Sequence, residues 1–152
     1  MKRTWGPGAR PRSRVRAMQW DAQIERGGAI YYKTLGALTW RRADRAAFSA
    51  FARFETANAR AIRDELRRIG APSRANPAFL YAGVATGALA ACLPRRVLLA
   101  SSARLLATGH SYWSARGRAY GPERARLLKR IAESYDLQRD WFVEQLRAAE
   151  GS

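Results

Sequence analysis

Residues 48–62 read Phe-Ser-Ala-Phe-Ala-Arg-Phe-Glu-Thr-Ala-Asn-Ala-Arg-Ala-Ile, and their spacing decides the fold class. Apolar side chains at Phe48, Phe51, Ala59, Ile62, Leu66 and Ile69 recur at three- and four-residue steps, which predicts a helix over 43–69 with one buried face. Gly70-Ala71-Pro72 stops it. Glu55 continues the apolar series and Asn58 follows one turn later on the same side, so a carboxylate and an amide point inward. Acids are scarce here, 12 against 28 basic residues, so an inward-facing one needs a reason. A buried carboxylate is costly unless it is paired, hydrogen-bonded, protonated or bound to metal. The preceding helix carries a second one, because Glu25 shares a face with Ala22, Ala29 and Tyr32. The two acids are 55 minus 25, or 30, residues apart, a spacing that lets them meet midway along adjacent antiparallel helices.

Working outward, the remaining chain also reads as helices separated by Gly and Pro. Residues 18–38 predict the first helix, Arg95 to about Tyr120 the third, and Glu123 to about Ala149 the fourth, with a break at Gly121-Pro122. No strand alternation and no nucleotide-binding glycine loop is present. Between the second and third helices, Ala75 to Pro94 is a run of 20 residues without a charge. That length matches a membrane span, but the run is rich in Gly and Ala and ends at Pro94-Arg95-Arg96, so the drive to insert is weak. A crossover helix lying on a bundle is the preferred reading. A helix in the membrane interface, its arginines on lipid phosphates, is the second. The expected fold is therefore all-α, a four-helix bundle with a long apolar crossover between helices two and three.

Length and charge bound the rest. The 152 residues are enough for one domain, assigned to 17–150, preceded by a basic arm at 1–16 that has no acid and no apolar period and is expected to be disordered. The formal charge is +16. The arm is suited either to unspecific attraction to lipid or nucleic-acid phosphate or to being a solvated tail. It lacks the apolar core of a secretory signal, although an Arg-rich organelle transit peptide is similar in composition. The expected location is the cytoplasm, with peripheral attachment to the inner membrane as the variant. The single cysteine, Cys92, excludes a disulfide within the chain and any Cys-rich metal site, and its apolar neighbourhood predicts a buried small hydrophobe. The single histidine, His110, excludes sites that need two imidazoles. Arginines 41, 42, 45, 53, 60, 63, 67 and 68 are assigned to the solvated side of helix two, some pairing with Asp44, Asp64 and Glu65. Trp113, Trp141, Phe142, Tyr31 and Tyr112 are expected as core and interface aromatics rather than as a base-stacking platform.

Glu25 followed by Tyr32, then Glu55-Thr56-Ala57-Asn58, resembles the first half of a ferritin-like di-iron carboxylate protein. In that family one helix supplies a Glu and the next a Glu-x-x-His, and the second half repeats the arrangement to give six ligands for two metals. The Gly/Ala-rich crossover, the Ser101-Ser102 turn of helix three and the small size look most like the demethoxyubiquinone hydroxylases of ubiquinone biosynthesis. The resemblance covers roughly residues 18–149. It implies a ferritin-like fold, two iron ions in an active member and an isoprenoid quinone substrate reached from the membrane side. The second half departs from the pattern. Where the family reads about Ile-Ala-Glu-x-Glu-x-x-His, this chain has Ile131-Ala132-Glu133-Ser134-Tyr135-Asp136-Leu137-Gln138. Leu106, seven residues before Trp113, takes the position of the third-helix Glu. The register is consistent, since 135 minus 106 is 29 against 30 in the first half. Glu25 and Glu55 thus remain as vestigial ligands, while Asn58, Leu106, Tyr135 and Gln138 stand at substituted positions.

Two carboxylates cannot hold an oxygen-activating di-iron centre, so no cofactor is expected. The substituted residues are expected instead to build a hydrogen-bonded core around a carboxyl pair that shares a proton. A shift of register would bring Glu133 and Asp136 in as ligands, but at about 100° per residue Glu133 points away from the face of Leu128, Ile131, Tyr135 and Phe142. His110 lies one turn beyond Leu106, within reach of such a site. The leading expectation is a ferritin-like relative with a degraded iron site that keeps a quinone- or membrane-binding or assembly role, with a paralogue or a second copy as partner. The alternatives are an active di-iron quinol hydroxylase, a monooxygenase with an altered metal site, and a basic accessory protein for nucleic acid.

Overall fold

The structure is a computed structural model that describes residues 11–73 and 75–150. Every described element is helical: α1 Pro11–Leu38, α2 Arg42–Arg68, α3 Pro77–Ala91, α4 Arg95–Ala115, the short α5 Gly117–Tyr120, a 3-10 turn Pro122–Arg124, and α6 Ala125–Glu150. The all-α expectation holds.

Local signals explain most of the ends. α2 stops because Gly70 adopts φ 69°, while Gly70 N–H donates to Arg67 O and Ala71 N–H to Leu66 O, closing the last turn with its own carbonyls. α3 starts at Asn76-Pro77, where the Asn76 side chain accepts from Ala78 N–H at 3.0 Å and the proline needs no donor of its own. Gly121, at φ 84°, breaks the chain before Pro122.

Two boundaries differ from expectation. α1 begins at Pro11, seven residues before the expected residue 18, so residues 11–16 of the expected arm are helical. Proline suits a first helical position, and the Arg-rich stretch after it consists largely of good helix formers. The rest of that arm, 1–10, lies outside the described residues. The third helix ends at Ala115 rather than near Tyr120, and α5 makes a separate turn.

The chain forms two compact units, Gln19–Leu98 and, among the described residues, 11–18 with 99–150. In the first unit α1 and α2 meet through an aromatic cluster. Tyr32 lies edge-on to Phe51 with ring centroids 5.3 Å apart and is stacked with Phe48 at 6.3 Å. α3 comes up against α1 through glycines. A Cβ on Gly83 would stand 2.6 Å from Gly27 O, and one on Gly87 2.7 Å from Tyr31 O, so only hydrogen fits at either position. The loop before α3 is tied to α1, with Gln23 Oε1 accepting from Asn76 N–H at 3.0 Å and Gln19 Nε2 donating to Pro72 O at 2.7 Å. Arg95 donates two hydrogen bonds of 3.1 Å to the two Asp44 oxygens, fixing the start of α4 to the start of α2.

The uncharged run is therefore a 15-residue helix seated on α1, and no helix among the described residues is long and apolar enough to cross a membrane. Its other side is open, with Tyr81, Val84 and Leu89 exposed and Leu93 exposed just beyond its end. Cys92 at its end is exposed, not buried as expected, because only the glycine side of α3 is covered.

In the second unit the buried positions of α4 include Leu99, Ser102, Leu106 and Trp113, and those of α6 include Leu128, Ile131, Gln138 and Phe142. Of the aromatics expected in the core or at an interface, Trp113 and Phe142 are buried, and Tyr31, Tyr112 and Trp141 are half-buried.

Candidate functional site

The α2 face carries Glu55 and Asn58 inward, as periodicity requires, and α1 carries Glu25. All three are buried, Glu25 completely. Asn58 Nδ2 donates to Glu25 Oε2 at 2.9 Å, a buried link between α1 and α2. Glu55 lies against Gly28, since a Cβ there would stand 2.8 Å from Glu55 Oε2. Tyr32 is one further turn along α1, and its phenol is pushed well above its ordinary pKa, first by burial and then by the charges of Glu55, Tyr31 and Glu25. The first unit thus lines two carboxylates, an amide and a neutral phenol along two turns of the α1–α2 pair.

The other five candidate positions, Leu106, Glu133, Tyr135, Asp136 and Gln138, belong to the second unit. Leu106 and Gln138 are buried and Tyr135 is half-buried, its ring lying where a Cβ on Gly109 would be. Glu133 is exposed and points toward Lys129 Nζ at 3.8 Å. Asp136 faces another way, to His110 Nδ1 at 3.0 Å and Arg139 at 3.3 Å. Glu133 and Asp136, weighed as register-shifted ligands, thus engage different partners.

The two units repeat the register read from the sequence spacing, and each adds a glycine that the spacing did not disclose. In the first, Glu25 is followed three residues later by Gly28, which faces Glu55. In the second, Leu106 is followed three residues later by Gly109, which faces Tyr135. The buried Asn58 and Gln138 each lie three residues beyond the faced side chain, and the buried Tyr32 and Trp113 each lie seven beyond the first position. Gly28 and Gly109 are the residues missed; their only signal in the sequence is a glycine inside a helix, where it costs stability unless something needs the space.

Two of the positions at which the resemblance expects ligands carry no free metal donor set of their own: Glu25 accepts a hydrogen bond from the Asn58 amide, and Leu106 has no donor atom. What the arrangement can do is hold acids, amides and hydroxyls in a dry, hydrogen-bonded interior. Set beside known proteins, the chain matches no protein-family model, no curated protein and no solved structure.

Proposed function

We propose that this chain is a ferritin-like four-helix protein related to the demethoxyubiquinone hydroxylases, with α1, α2, α4 and α6 as the bundle and α3 as the crossover. Its di-iron site has been replaced by a polar core, and it acts as a quinone- or membrane-surface-binding or assembly protein rather than as a hydroxylase. The observation that carries this reading is the repeated register, in which Gly28 faces Glu55 and Gly109 faces Tyr135 at matching steps from positions 25 and 106. The Asn58–Glu25 hydrogen bond adds to it, because an amide there satisfies the carboxylate that a metal would otherwise bind. The uncovered apolar residues of α3, Tyr81, Val84 and Leu89, with Leu93 just beyond its end, support contact with a membrane surface.

The test is metal content by elemental analysis of protein expressed with iron, repeated for Glu55→Ala. The expected result is no stoichiometric iron in either protein, with the helical circular dichroism intact. Two irons per chain, lost in Glu55→Ala, would overturn the degraded-site reading in favour of an active hydroxylase.

A further inference from the structure

A groove of about 560 Å³ runs along the outside of the α1–α2 pair. Its α2 wall is the stripe Arg45, Ser49, Arg53, Thr56 and Arg60, and Lys33 faces it from α1. Steps of four, four, three and four residues put that stripe on a single side of α2, distinct from the side that buries Glu55 and Asn58. The floor is made of small side chains, Gly36 and Ala52 among them, with the Tyr32 ring below.

No acid lines this groove. The acids of α2 are committed elsewhere: Asp44 to Arg95, Asp64 to Arg67, Glu65 to Arg68, and Glu55 to the interior. Lys33, Arg45, Arg53 and Arg60 are exposed, and among the described residues none of them is paired with a carboxylate. Arg45 uses two donors on Thr39 O, at 3.2 and 3.0 Å, and Arg53 one on Ser49 Oγ at 3.2 Å, and each guanidinium has five N–H donors in all. Four like charges held along one cleft repel one another unless an anion lies between them. Guanidinium groups are shaped to take oxyanions in pairs of hydrogen bonds. The volume lies within the range of small-molecule sites.

From these observations we infer that the α1–α2 groove is a binding site for a small phosphate-bearing ligand, its oxyanions on Arg53, Arg60 and Lys33 and its less polar part over Gly36 and Ala52. The phosphate belongs either to a free organic phosphate or to a lipid headgroup.

The experiment titrates inorganic pyrophosphate into the full chain by calorimetry at about 150 mM salt, where diffuse attraction is largely screened. The double variant R53Q/R60Q removes two groove cations. A control, R126Q/R130Q, removes two exposed arginines from α6, outside the groove. Saturable binding at one site per chain is expected, weakened about tenfold or more in R53Q/R60Q and by less than about twofold in the control. A parallel arm measures whether phosphatidylcholine vesicles containing phosphatidic acid displace pyrophosphate. Displacement identifies a lipid headgroup and its absence a free phosphate; either supports the site. Unsaturable binding, or equal weakening in both double variants, overturns it and leaves only the general charge.

Discussion

At the scale of single residues, Tyr32 shows how a buried carboxylate pair shapes its neighbours. Burial and the charges of Glu55 and Glu25 all disfavour the phenolate, so the folded phenol titrates above the ordinary value near 10. A group whose folded pKa is raised contributes stability fully below its unfolded pKa and loses it as pH climbs beyond that value. The unfolding midpoint in urea is therefore expected to fall between about pH 9.5 and 11, and Tyr32→Phe, which keeps the ring, should flatten that fall. An unchanged slope in the variant would mean that the phenol is solvated. The burial of Glu55 was legible because it keeps step with Phe48, Phe51 and Ile62, and that of Glu25 because it shares a face with Ala22, Ala29 and Tyr32. Gly28 and Gly109 were not, because a residue without a side chain adds nothing to a hydrophobic period. Cys92 misled for a related reason: absence of charge does not say which side of a helix is covered.

At the scale of elements, α3 has neither a charge nor a dominant apolar side, so periodicity could identify the helix but not its seat. Its seat is set by Gly83 and Gly87, where α1 carbonyls approach too closely for any side chain. Gly83→Ala is accordingly expected to cost about 1–3 kcal/mol, since the obstacle at 2.6 Å is the Gly27 carbonyl oxygen rather than a movable side chain. Gly117 is the internal control, because a Cβ there meets nothing within 4 Å and its φ is not positive. Gly117→Ala should be neutral or stabilise by up to about 1 kcal/mol. Thermal unfolding of the two variants checks the contrast, and equal effects would show that α3 is not held at this distance. The early start of α1 has the same moral. Arginine repels arginine in an arm and in a helix alike, and Pro11 was the stronger cue to the boundary.

At the scale of the whole molecule, the charge of +16 is the largest feature left unbalanced by pairing. Several of the ion pairs are local and wet, such as Arg67–Asp64, with side chains 76% and 43% exposed, and Lys129–Glu133, at 78% and 57%. Exposed pairs of this kind contribute little. Repulsion among the surplus cations acts against the compact state and is screened by salt, whose Debye length shrinks from about 30 Å at 0.01 M to about 8 Å at 0.15 M. The melting temperature should therefore rise between those concentrations of sodium chloride, the reverse of a protein held by surface ion pairs. For a chain of this size each kcal/mol recovered appears as roughly 2–4 °C. A flat or falling melting temperature would mean that the surplus charge is neutralised within the fold. Sodium sulfate at equal ionic strength separates general screening from occupation of the α1–α2 groove. Both wild type and R53Q/R60Q share sulfate's non-specific stabilising effect, so only an anion held by Arg53 and Arg60 gives wild type a larger rise than the variant.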